Sequence, residues 1–92
     1  MARIEKFEDI QSWQKARQLC VVVFQLSANE PFSKDYSLKD QIKRSSGSVM
    51  DNIAEGFDRS SSKDFRRFLF ISKGSLSEVK SQLYRALDQN YI

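Results

Sequence analysis

Histidine is absent from the 92-residue chain, and cysteine occurs once, at Cys20. These shortages exclude an internal disulfide framework, a paired-cysteine redox motif and the usual zinc-binding patterns, so neither a metal nor a cofactor is expected. Serine is plentiful, but no histidine and no serine-lysine arrangement stands ready to activate it, and the chain is not expected to be an enzyme. Proline occurs once and glycine three times. Gly47, Gly56 and Gly74 are too far apart to form a phosphate-cradling loop. No apolar run approaches the length of a bilayer, the longest being Leu19 to Phe24, and the N-terminus MARIEKFEDI lacks the order of a signal peptide. The expectation is a single soluble cytoplasmic domain over residues 1–92, all-α, with no membrane partner.

What the chain does have is helical periodicity. Leu38, Ile42, Val49, Ile53 and Phe57 recur at steps of four or seven. Ser37 with Asp40 is a weak capping box that predicts a helix start near Ser37, and Gly56 is read as a positive-φ residue closing its last turn. Ser61 with Asp64 repeats the capping spacing, so a further helix begins about four residues later. A connection that short predicts adjacent antiparallel helices. With the turn placed near Arg59, residues whose numbers sum to about 118–120 should face each other. Ser45 and Ser46 would then meet Lys73 and Gly74 in a small-residue crossing, and Gln41 would meet Glu78. The alternative is that the serines face solvent.

Before this pair, Ile10, Trp13, Ala16, Cys20, Val23 and Phe24 form an apolar row, with Leu19, Val22 and Leu26 beside it. Met1 to Lys6 should be extended or frayed. Phe7 should anchor the first helix, while Phe32 and Tyr36 should cap the lower core after Pro31 stops helix continuation. The last helix carries Phe65, Phe68, Leu69, Ser72, Leu76, Val79, Leu83, Ala86 and Leu87 on one face. Helices are predicted at about 9–27, 37–57 and 62–90, in an antiparallel up-down bundle of four-helix-bundle type whose fourth helix is missing from this chain. The uncovered side could be filled by a helix from another chain.

The net charge is +3 and unevenly spread. Arg59 to Arg85 holds seven bases and two acids, so all of the net positive charge lies on the third helix and its entry. Lys63, Arg66, Arg67, Lys73 and Lys80 are the candidate nucleic-acid-binding residues, able to neutralise phosphates. The rival reading is a solvated charged face. Phe65 and Phe68 fall on the apolar stripe, which argues against base stacking there.

The strings Phe7-x-x-Ile10-x-x-Trp13-Gln14-x-Ala16, Tyr36-x-Leu38-x-x-Gln41-x-x-Arg44, Asn52-Ile53-Ala54-Glu55-Gly56, Arg59, Phe65, Phe68-Leu69 and Gly74-Ser75-x-x-Glu78 resemble the 23S rRNA-intervening-sequence protein family. The resemblance covers essentially the whole chain. It implies a cytoplasmic bacterial four-helix bundle assembling as a ring-like homopentamer. It also implies similarity to the accessory proteins of diversity-generating retroelements, which bind RNA or DNA and a reverse transcriptase. Such proteins are expected to continue past Tyr91 and Ile92 into a fourth helix. Within the shared strings, Gln41, Arg44, Asn52, Glu55 and Arg59 are the polar residues. They are read as structural or assembly groups together with Ser45, Gly56, Gly74 and Glu78. Asn52 and Glu55 should bond across to the third helix or a neighbouring subunit, with Glu55 opposite Arg59, Lys63 or Arg66.

Overall fold

Asp35 caps the helix on which both others pack: in the computed structural model, which describes residues 3–92, its carboxylate accepts the Leu38 N–H at 3.1 Å. The helix it caps, α2, runs Tyr36–Asp58. The expected cap, Ser37, lies inside the first turn, and its hydroxyl accepts from Gln41 Nε2 instead. A carboxylate at the positive end of the helix dipole is the stronger acceptor, and it moves the start forward. Helix α1 spans Gln11–Ala28 and α3 spans Ser62–Asp88. Short 3-10 turns at Phe7–Asp9 and Phe32–Lys34 precede α1 and α2. All described elements are helical, in a body of 47 × 20 × 17 Å. The expectation for Met1 and Ala2 lies outside the described residues.

The start of α3 is as read from the sequence, with Ser61 Oγ accepting the Asp64 N–H at 3.1 Å. Its end comes two residues early. Asn90 adopts a left-handed φ of 62°, and the Tyr91 N–H returns to the Ala86 carbonyl at 2.8 Å, closing the last turn. Phe7 anchors α1 as expected, its ring edge-on to Trp13 at 5.2 Å. Phe32 is fully buried, but Tyr36 is 70% exposed and caps nothing. Tyr91 takes the place expected of Tyr36: its ring lies 5.4 Å from Phe32, and its hydroxyl donates to Asp35 Oδ2 at 2.9 Å.

Asp35 therefore holds two elements with its two oxygens. Asp35→Ala is expected to cost about 1–2 kcal/mol in chemical denaturation, the upper range of a lost cap. The Tyr91 phenol is pushed above its ordinary value, first by donating to the Asp35 carboxylate and then by burial and the negative charge. Its neutral form is favoured in the folded state. That contribution is complete below the unfolded pKa and disappears as pH rises through the folded one. In Tyr91→Phe the fall of stability above about pH 10 should lose this component.

Gly56 does not end α2, which continues to Asp58, and no glycine has a positive φ. A Cβ at Gly56 would lie 2.6 Å from Phe68 Cβ and 3.1 Å from Phe65 Cδ1. The glycine is there for proximity. Gly74, by contrast, has open space around its missing Cβ, so the close crossing of α2 and α3 is at Gly56 and not at Gly74. Helix α2 ends one residue later than expected, and the pairs that bond across to α3 sum to more than the expected 118–120. Ser72 Oγ donates to the Val49 carbonyl at 2.7 Å, Ser48 and Ser75 share a hydroxyl bond at 2.9 Å, and Arg85 Nη1 donates to Gln41 Oε1 at 2.9 Å. Gln41 thus meets Arg85 and not Glu78. Ser45 and Ser46 are buried and do not face solvent. Ser46 belongs to the contact with α1, where its carbonyl accepts from Cys20 Sγ at 3.2 Å.

The core gathers Trp13, Ala16 and Val23 of α1 with Leu38, Ile42, Val49 and Ile53 of α2 and Val79 and Ala86 of α3. Helix α2 is the central element, packed on both others and most extensively on α3. Between α1 and α3 an open groove of about 490 Å³ remains, with Val49 and Ile53 as its floor and Ala16, Leu19, Leu69 and Leu76 on its walls. Leu69, Leu76 and Leu87, expected in the core face of α3, are exposed along this side. Phe24 also leaves the core and lies beneath the Lys43 ammonium at 5.3 Å. Cys20 is half-buried, and burial pushes its thiol pKa up, away from the reactive thiolate.

Candidate nucleic-acid interface

Helix α3 has a core face and an outer face, and the helical period decides which bases share the latter. Arg66, Lys73 and Lys80 recur every seven residues and so lie in one line, about 10 Å apart. All three are exposed, and among the described residues none has a carboxylate within 4.0 Å. Lys63 is likewise exposed and unpaired among the described residues, one turn from Arg67 on a neighbouring line.

Arg67 is partly engaged. Its guanidinium lies 3.8 Å from Asp64 and 5.3 Å from the centre of the Phe68 ring. Arg59 approaches the same ring at 5.0 Å and donates to Glu55 Oε1 at 2.9 Å. The five candidate bases are therefore not equivalent: Arg66, Lys73 and Lys80 form a free row, while Lys63 and Arg67 sit to one side of its start. Arg85, outside the candidate set, is tied to Gln41.

The polar residues read as bridges between helices mostly act locally. Asn52 Nδ2 donates to Ser48 Oγ at 2.9 Å and to the Ser48 carbonyl at 2.8 Å, within α2. Its hydrogen-bonded link to α3 runs through Ser48, whose hydroxyl bonds Ser75. Glu55 pairs with Arg59, as one of the sequence alternatives had it, but along its own helix end and not with Lys63 or Arg66. Arg44 and Glu78 are exposed, on α2 and α3 respectively.

Two residues missed by the sequence reading stand in the free row. Phe70 is 66% exposed and Tyr84 is 58% exposed. With them the outer face reads Arg66, Phe70, Lys73, Ser77, Lys80, Tyr84, at successive steps of four, three, four, three and four. That spacing keeps six residues on one stripe about 27 Å long. Glu78 and Asp64 lie roughly a third of a turn or more away from it. The signal was available in the sequence, since both aromatics fall out of phase with the apolar face of α3.

The family model for 23S rRNA-intervening sequence protein matches residues 8–92. The chain belongs to that family. The match takes in all three helices and the whole basic stripe of this intervening-sequence protein. No curated protein matches the chain. Among the described residues no helix is long and apolar enough to cross a membrane, and no group of histidine, cysteine or acidic side chains is placed to hold a metal ion. What the chain offers chemically is a row of exposed cations interspersed with two aromatics and a serine, beside an open apolar groove.

Proposed function

We propose that the chain is a non-enzymatic, self-associating helical-bundle protein of the cytoplasm that binds RNA through the outer face of α3. The observation that carries this reading is the stripe from Arg66 to Tyr84, in which three bases, unpaired among the described residues, share one line with two exposed aromatics and no acid intervenes on that line before Asp88. Cations at this spacing neutralise successive phosphates and release their counterions, which drives essentially all nonspecific nucleic-acid binding. The reading as a non-enzyme is supported by the lack of histidine, the usual base that activates a serine or cysteine. The pairing of late α3 residues with early α2 residues, Arg85 with Gln41 and Ser75 with Ser48, supports an antiparallel up-down bundle. The apolar groove between α1 and α3 supports assembly of the four-helix type, with a helix from a neighbour covering Leu19, Leu69 and Leu76. A ring of five such units would turn one row of cations into a continuous basic surface.

The same groove favours a second reading, a protein-interaction module with an incidental charge, its partner being reverse transcriptase-like or another nucleic-acid-processing protein. Light scattering of the 92-residue chain with absorbance at protein and nucleic-acid wavelengths, followed by titration with RNA across salt, separates the two. The RNA reading expects affinity to fall linearly with salt on a log–log plot, with a slope of about −0.7 for each phosphate neutralised on a single strand. An assembled protein that ignores RNA at low salt would establish the interaction module. A monomer at all concentrations would remove self-association from both readings.

A further inference from the structure

Phe70 and Tyr84 do more than interrupt a basic row, because each borders its own recess. The first, about 250 Å³, is lined by Arg66, Leu69, Phe70 and Lys73. The second, also about 250 Å³, is lined by Lys80, Leu83, Tyr84, Leu87 and Ile92. The two share a plan: one exposed aromatic, leucine on the wall and a lysine at the edge. They are fourteen residues apart on a single helix, which places them about 21 Å from each other on the same side. Each is shallower than the roughly 300–1,000 Å³ of a drug-sized ligand site and suits one planar heterocycle.

We propose that these recesses are base-stacking sites, and that the ligand of the α3 stripe is an unpaired single strand and not a duplex. The inference rests on the nucleic-acid reading above and specifies its substrate. In a duplex every base has both faces covered by its neighbours, so a Phe70 or Tyr84 ring would meet only sugar, phosphate and groove edges. A single strand exposes the faces that aromatic rings attract, while its backbone runs past Arg66, Lys73 and Lys80. Stacking of this kind tolerates any sequence, since every base has a π face. A span of about 21 Å suits a short site, near the lower end of the about 4–16 nucleotides known for single-strand platforms. Apart from its cations, the stripe's polar groups are Ser77, which donates to the Lys73 carbonyl at 3.3 Å, and the Tyr84 hydroxyl.

The test uses the full chain with a fluorescein-labelled twelve-nucleotide poly-uridine strand, an adenosine strand of the same length and a hairpin duplex, compared by anisotropy at one low salt concentration. Both single strands are expected to bind at least about ten-fold more tightly than the duplex. Phe70→Ala with Tyr84→Ala should abolish that preference while leaving duplex affinity and helix content by circular dichroism unchanged. Phe70→Trp should preserve it, which guards against a purely structural loss. Equal affinity for strand and duplex, unaffected by the aromatic pair, would overturn the stacking sites and leave the phosphate-binding row standing. Loss of all binding in a helical Arg66→Glu, Lys73→Glu, Lys80→Glu variant with full binding in the aromatic double variant would also overturn them. No binding of any nucleic acid by the wild type would overturn the underlying reading.

Discussion

Replacing Gly56 by alanine is expected to destabilise the chain, although alanine is the better helix former by about 1 kcal/mol. The added methyl would lie 2.6 Å from Phe68 Cβ, an atom fixed by the α3 backbone, so no rotamer change can relieve the contact. The helices must separate along the seam where Ser72 bonds the Val49 carbonyl and Ser48 bonds Ser75. Overpacking of this kind costs about 1–3 kcal/mol, and with the lost seam it should outweigh the gain in propensity. Gly74→Ala supplies the internal comparison. Gly74 is exposed, within α3 and without neighbours near its missing Cβ, so alanine there should stabilise by about 0.5–1 kcal/mol. Urea denaturation of the two variants should therefore shift in opposite directions. A common direction would show that the approach of α2 and α3 at Gly56 is looser than its geometry.

The largest functional effect should come from reversing the free row. Arg66→Glu, Lys73→Glu and Lys80→Glu together remove three cations with no carboxylate in reach among the described residues, so none of the ion pairs seen there is broken. All three side chains are exposed, and substitutions there should leave the helices folded. The slope of log affinity for single-stranded RNA against log salt should become shallower by about 2, and binding at low salt should fall by at least about a hundred-fold. Arg85→Glu, which breaks only the bond to Gln41 and lies off the stripe, should change neither quantity appreciably. If Arg85→Glu and the triple variant weaken RNA equally, net charge and not the row governs binding.

The helices were legible because their apolar period is strong and α3 carries its own cap. The register between them was not. It was set by a turn placed near Arg59 and a constant rise per residue, which put Gln41 against Glu78 where the structure has Arg85. A glycine near the end of an apolar stripe also has two physical uses that one sequence cannot separate, a left-handed terminus or a close neighbour, and taking Gly56 for the first left the close crossing to be sought at Gly74. Asp35 and Tyr91 were missed for a related reason. One caps a helix and the other closes the core from fifty-six positions away, a contact with no local signature. In the candidate site the bases were visible as composition, but their grouping needed the face of α3. Phe70 and Tyr84 were left off the apolar face of α3 but were not read together with the bases that share their side of the helix.

The unequal fastening of the three helices has a consequence for motion. Two hydroxyl bonds, a glycine contact and the Arg85 to Gln41 bond hold α3 to α2. Across the α1–α2 boundary the side-chain hydrogen bond is that of a weak thiol donor, Cys20 to Ser46. Local opening follows the weakest fastening. The amides of α1 should thus exchange with solvent through excursions that leave the α2–α3 pair whole. Since α1 is one wall of the groove and α3 the carrier of the stripe, the groove can widen or narrow without disturbing the row of cations.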